Sequence, residues 1–130
     1  MKKNPILAGA LILAVATKML VAAPDARSQT VDTGYMVCVS QNRPAGKSFV
    51  SDIAEVRYVT THVENWNSDK FREMVSSMSS IPKESLYTSC SRRTSYEEAY
   101  NYRQRVMVVN AREGMPAMQV GYLPKNEPGY

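Results

Sequence analysis

The sequence predicts an α+β domain, a small antiparallel sheet with two helices packed on one face and one disulfide. Three observations lead there. Residues 35–41, YMVCVSQ, alternate, with Tyr35, Val37 and Val39 on one side and Met36, Cys38 and Ser40 on the other. That is the period of a strand, in β-branched and aromatic residues that favour one. Two later segments repeat their apolar residues at helical spacing instead. Finally, the two cysteines, Cys38 and Cys90, each fall inside a predicted strand.

After the first strand, NRPAG (42–46) places Pro44 and Gly46 where a turn needs them. KSFVSDIAEV (47–56) then reads as the return strand of a hairpin, and RYVTTHV (57–63) either continues it or forms a third strand after a bend. The first helix has Asn67 or Ser68 as its cap and Asp69 in its first turn, where a carboxylate favours the macrodipole. Phe71, Met74, Val75 and Met78 follow at i, i+3, i+4 and i+7, and Pro82 marks the exit. SLYTSCS (85–91) is a short strand. A second helix opens with two overlapping capping boxes, Thr94-x-x-Glu97 and Ser95-x-x-Glu98. Its expected inner face is Ala99, Tyr102, Val106 and Val109. Gly114 and Pro116 end it, AMQVGYL (117–123) is a last strand, and residues 124–130 form a tail expected to fray.

The N-terminus reads as an export signal. Lys2 and Lys3 precede the apolar run ILAGALILAVA (6–16), the n- and h-regions of a signal peptide. Cleavage after Ala16 or after Ser28 satisfies the small-residue rule. The reading adopted is a signal over 1–28 and a mature domain over 29–123 starting at Gln29. The alternative is a retained anchor over 5–23, with Lys18 snorkelling near its end. Beyond it, no apolar run is long enough to span a bilayer. Four of the sixteen basic residues (Lys2, Lys3, Lys18, Arg27) and one of the twelve acidic residues (Asp25) precede Gln29. The formal charge of +4 therefore falls to +1 in the mature chain, which leaves no electrostatic footprint for nucleic acid. The expected location is periplasmic or secreted, from a bacterium.

About 100 residues make one domain with a modest core. In an oxidising compartment its two cysteines read as a bridge. Closing a loop of roughly 50 residues stabilises a fold by about 4 kcal/mol on the chain-entropy model. Cys90 is followed by Arg92, Arg93 and a helix start, a setting that lowers a thiol pKa. Its only candidate base is His62, the single histidine, which lies in no cysteine-protease or nucleophile-elbow context. One histidine and scattered carboxylates offer no metal-ligand spacing. Adjacent Glu97 and Glu98 point about 100° apart on a helix and are accounted for by the capping boxes. These features predict a chain with no catalytic residues, no cofactor and no metal. A hydrolase using His62 with Asp52 or Glu64 is the enzymatic alternative.

Aromatic residues are the more informative group. Tyr96 and Tyr100 are i, i+4 neighbours with Arg103 three residues on, and Trp66 precedes the predicted first helix. Tyrosine and arginine exposed together compose a binding hot spot. Core packing with hydroxyls reaching water is the alternative for Tyr96 and Tyr100, and the favoured reading for Tyr102. The candidate binding residues are thus Tyr96, Tyr100, Arg103 and Trp66, for an envelope or extracellular protein partner.

The second half, YTSCSRRTSYEEAYNYRQRVMVV followed by MQVGYL, resembles the closing strand–helix–strand of sporulation-related repeat (SPOR) domains. The likeness rests on the helix start Ser95-Tyr96-Glu97-Glu98-Ala99. It implies a βαββαβ fold and binding to peptidoglycan. The extended segment 47–63 departs from that family's direct passage from first strand to first helix. The chain also resembles small exported bacterial proteins of unassigned function, a likeness that implies a fold and no activity.

Overall fold

A computed structural model describes residues 33–57 and 60–126. The expected signal over 1–28 lies outside the described residues, as do 58–59 and 127–130.

Strand β1 (Gly34–Asn42) is central, and after a tight turn the chain returns as β2 (Lys47–Val50) and β3 (Ala54–Val56), both antiparallel to it. In the turn Gly46 takes φ +66, a backbone region open to glycine, and its N–H donates to Arg43 O at 2.9 Å. Met36 of β1 pairs with Ala54 of β3 and also with Arg92 of β4 (Tyr87–Arg93). Val39 pairs with Val50 of β2 and with Ser89 of β4. Hence β2 and β3 are two halves of one return strand on one side of β1, and β4 lies on the other.

The predicted return strand over 47–56 is thus present, broken by a bulge. Val39 faces Val50 while Met36 faces Ala54, so the returning chain carries one residue more between these pairs. Ser51 fills the step: its N–H donates to Cys38 O (2.9 Å) and its Oγ accepts from Cys38 N–H (2.8 Å). The extra residue reverses the alternation and brings Val56 to the face occupied by Phe49. Strand β5 (Ala117–Gln119) joins β2 in parallel, so the sheet is mixed but mostly antiparallel. With two α-helices among the described residues, the fold is α+β.

Met36, Val37 and Cys38 are consecutive and all buried, the mark of a strand covered on both faces. Met36 and Cys38 join Phe49, Val56 and Cys90 in a core with Val63, Phe71 and Val75 of α1 (Thr61–Ser79), closed by Leu86, Val120 and Tyr122. The opposite face meets α2 (Tyr96–Arg112), where Tyr35 packs edge-on to Tyr96 and the Arg93 guanidinium lies 4.1 Å over the Tyr102 ring. The sequence suggests both helices on one face. The alternating contacts of β1 and β4 assign them to opposite faces, because the β-branched face of β1 also needs a cover.

Helix α1 begins at Thr61, well before the Asn67 or Ser68 cap suggested by local preference. Thr60 is the cap, extended at φ −131, and its Oγ1 accepts from Val63 N–H at 3.3 Å. Residues 61–63, read as strand, form the first helical turn, and Trp66 lies within the helix. Asn67 and Ser68 are buried in mid-helix because they serve distant backbone. Ser68 Oγ accepts from Cys90 N–H at 3.0 Å. Asn67 Nδ2 donates to Val63 O (3.0 Å) and Lys125 O (2.8 Å), while its Oδ1 accepts from Tyr122 Oη (2.7 Å) and Lys125 N–H (3.1 Å). This hub holds the chain to its far end: Pro124 is buried and Asn126 bonds both backbone groups of Arg57. The segment 124–126, expected to fray, is docked.

Of the apolar stripe on α1, Phe71 and Val75 are buried whereas Met74 and Met78 flank it in solvent. Ser95 caps α2, its Oγ accepting from Glu98 N–H at 3.1 Å. The inner face of α2 is Ala99 and Asn110, with Val109 left outside.

Candidate functional site

Cys38 and Cys90 are directly opposed on β1 and β4 and form a disulfide. Both are buried, so the bridge sits inside the α1-side core. The arginines beside Cys90 go to separate faces. Arg93 stacks on Tyr102, while the Arg92 side chain lies over Gly34, where a Cβ would collide with it.

Of the residues with catalytic potential, Cys38 and Cys90 are bridged to each other. His62 is exposed in the first turn of α1. Glu98 accepts at Oε1 from the Thr94 hydroxyl (2.7 Å) and N–H (3.2 Å). These bonds, with the charge of Arg93, hold its carboxyl below the usual carboxylate range. Thus Glu98 completes the α2 cap as an anion, although its bond goes to Thr94 rather than to the Ser95 N–H of a standard box. Among the described residues no three of His, Cys, Asp and Glu come together, and no helix is long and apolar enough to cross a membrane.

The four predicted binding residues are not brought together. Tyr96 (53% exposed) and Tyr100 (43% exposed) share the outer flank of α2, and Tyr96 stands edge-on to Tyr35 with ring centroids 6.1 Å apart. That contact restricts the Tyr96 ring while leaving about half of the residue exposed. Arg103 leaves the patch: its Nη1 donates to Ser51 O at 2.9 Å, which locks α2 onto the bulge. Trp66 is half-buried on α1, with the Lys70 ammonium 5.7 Å from its ring, on the other side of the sheet. The exposed site therefore reduces to Tyr96 and Tyr100, supported by Tyr35.

Two features escaped the sequence reading. Tyr35 appears there only as a strand residue, and its partnership with Tyr96 depends on which helix covers which face. Val108 and Val109, 49% and 46% exposed, form a second outward surface of α2. A signal for it existed, since Asn110 and Val109 compete for the inward position on that helix.

The fold and its exposed residues define a disulfide-stapled α+β domain with an aromatic helix flank. Comparison with protein-family models, with curated proteins and with solved structures gives no match.

Proposed function

We propose that this chain is an exported, non-enzymatic binding protein that works through a protein partner in the bacterial envelope or outside the cell. The observation that carries the reading is the exposed tyrosine pair, Tyr96 and Tyr100, on a capped helix braced by Tyr35 and Arg103. Rigid, amphipathic aromatics of this kind concentrate interface energy. Export is supported by the n- and h-regions before residue 29 and by a buried disulfide, which suits an oxidising compartment.

The test has two stages. Intact mass of the protein from its host, alkylated with and without reduction, is expected to give a chain starting near Gln29 with thiols only after reduction. A full-length chain with freely alkylated cysteines overturns the export premise. Crosslinking in the envelope is then expected to recover one stoichiometric protein, with recovery at least five-fold lower in Tyr96→Ala/Tyr100→Ala; unchanged recovery removes the tyrosines from the interface. Peptidoglycan binding is a second reading, favoured by the same exposed tyrosines, whose rings suit stacking on sugars. It predicts retention on purified sacculi stripped of protein.

A further inference from the structure

Resting on the partner-binding reading, the geometry points to a second dock on α2, additional to the tyrosine pair: the trough that runs from edge strand β4 at Arg93 onto the outer side of α2, which fits an acidic, amphipathic helix of the partner protein. Two adjoining concavities share Arg105 and Val109: one of about 340 Å³ lies between Arg93 of β4 and α2, and one of about 370 Å³ continues it on α2 alone. Tyr102, Val106 and Val109 supply the apolar wall. Arg93, Arg105 and Arg112 supply the rim.

On this face β4 presents Ser89 and Ser91 between the larger Tyr87 and Arg93. Ser89 and Ser91 alternate with Cys90, and Ser91 Oγ is buried without a hydrogen-bond partner. On its other side helix α2 is tied to the bulge, where Arg103 Nη1 donates to Ser51 O. Its Tyr102 and Val109 edge is left half-covered. Tyr87, 76% exposed on the same face of β4, stands at the far end: it pairs with Gln41, two residues before Arg43, which bridges to Glu113 beyond α2. From Tyr102 to Val109 the apolar wall is about 10 Å long, the length of two helical turns. A wall of this length takes about two turns of a partner helix laid along it, as in helix-in-groove recognition.

Charge selects the partner. Among the described residues neither Arg105 nor Arg112 has an ion-pair partner. Of the two carboxylates nearby, Glu113 is paired with Arg43 at 3.0 Å, whereas Glu98 remains an anion beside Arg93, so the positive excess lies towards Arg105 and Arg112. The trough thus presents a cationic rim around an apolar floor on a mature chain of nearly neutral net charge. An incoming helix with an apolar ridge and flanking carboxylates satisfies both, and a lysine-rich one meets repulsion.

Photo-crosslinking in the producing cell tests this, with a photoreactive residue placed at Val109 in the trough, at Tyr100 on the opposite flank, or at Ser77 on α1 as background. The expected result is a crosslink from Val109 to one protein whose joined segment, sequenced by mass spectrometry, is helical, acidic and amphipathic. Its yield is expected to fall at least ten-fold with Arg105→Glu/Arg112→Glu, two exposed changes checked by unaltered thermal unfolding. Crosslinking from Tyr100 but not from Val109 overturns the trough and leaves the binding reading standing. No crosslink from either position overturns both. A lipid, a glycan, a second copy of this chain or a basic segment joined at Val109 overturns the trough, as does a yield insensitive to charge reversal.

Discussion

Replacing Asn67 by alanine removes the side chain that ties α1 to the C-terminal segment. Asn67 is fully buried and makes four hydrogen bonds, three of them to Tyr122 and Lys125. An intramolecular hydrogen bond contributes about 1 kcal/mol net, and a buried group left without its partner costs about 1–3 kcal/mol. Alanine orphans the Tyr122 hydroxyl and both backbone groups of Lys125. Some of these reach water once the segment lifts, so the expected loss is about 3–4 kcal/mol. That is a large share of the roughly 5–15 kcal/mol available to a domain. The assay is urea unfolding of the mature, oxidised chain, with amide hydrogen exchange at Lys125 as a local readout. Exchange there should approach the unprotected rate in Asn67→Ala while β1 stays protected. A stability loss under about 1 kcal/mol, or an unchanged Lys125 rate, refutes the hub.

Three further outcomes follow from the same structure. The double variant Cys38→Ala/Cys90→Ala should lose about 4 kcal/mol relative to the oxidised chain in denaturant melts, whereas equal stability would show that the bridge does not constrain the unfolded chain. Burial pushes the Tyr122 hydroxyl up to about 12 from an ordinary 10, so the folded state holds its proton more tightly than the unfolded one. Stability should therefore be intact below pH 10 and fall between pH 10 and 12, and Tyr122→Phe should flatten that limb when unfolding is followed against pH. Substituting Ser51→Ala leaves Cys38 N–H without its side-chain acceptor at the bulge and should cost about 1–3 kcal/mol, measured by thermal unfolding; a neutral result would mean that the bulge relaxes around the loss.

Much of the outline was legible from residues 35–41, where alternation marks β1, and from Thr94 to Ala99, where polar cap and acidic first turn announce α2. The Cys38–Cys90 pair followed from counting two cysteines. The start of α1 was not legible, because Asn67 and Ser68 carry strong local capping preference yet are claimed by Lys125, Tyr122 and Cys90 backbone across the fold. The exposed aromatic patch was half legible. Periodicity correctly grouped Tyr96 with Tyr100, but nothing in it shows that Arg103 reaches 52 positions back to Ser51 or that Trp66 lies across the sheet.

The sequence by itself determined the class, the order of elements and the staple, since these depend on period, turn residues and composition acting over a few neighbours. Only tertiary structure decided the bulge at Ser51, the division of the helices between two faces, the docked segment at Lys125 and the half-open trough beside β4. Each of those turns on which distant backbone group completes a buried hydrogen bond, or which helix covers a second apolar face. Local pattern leaves that choice open, and packing in three dimensions makes it.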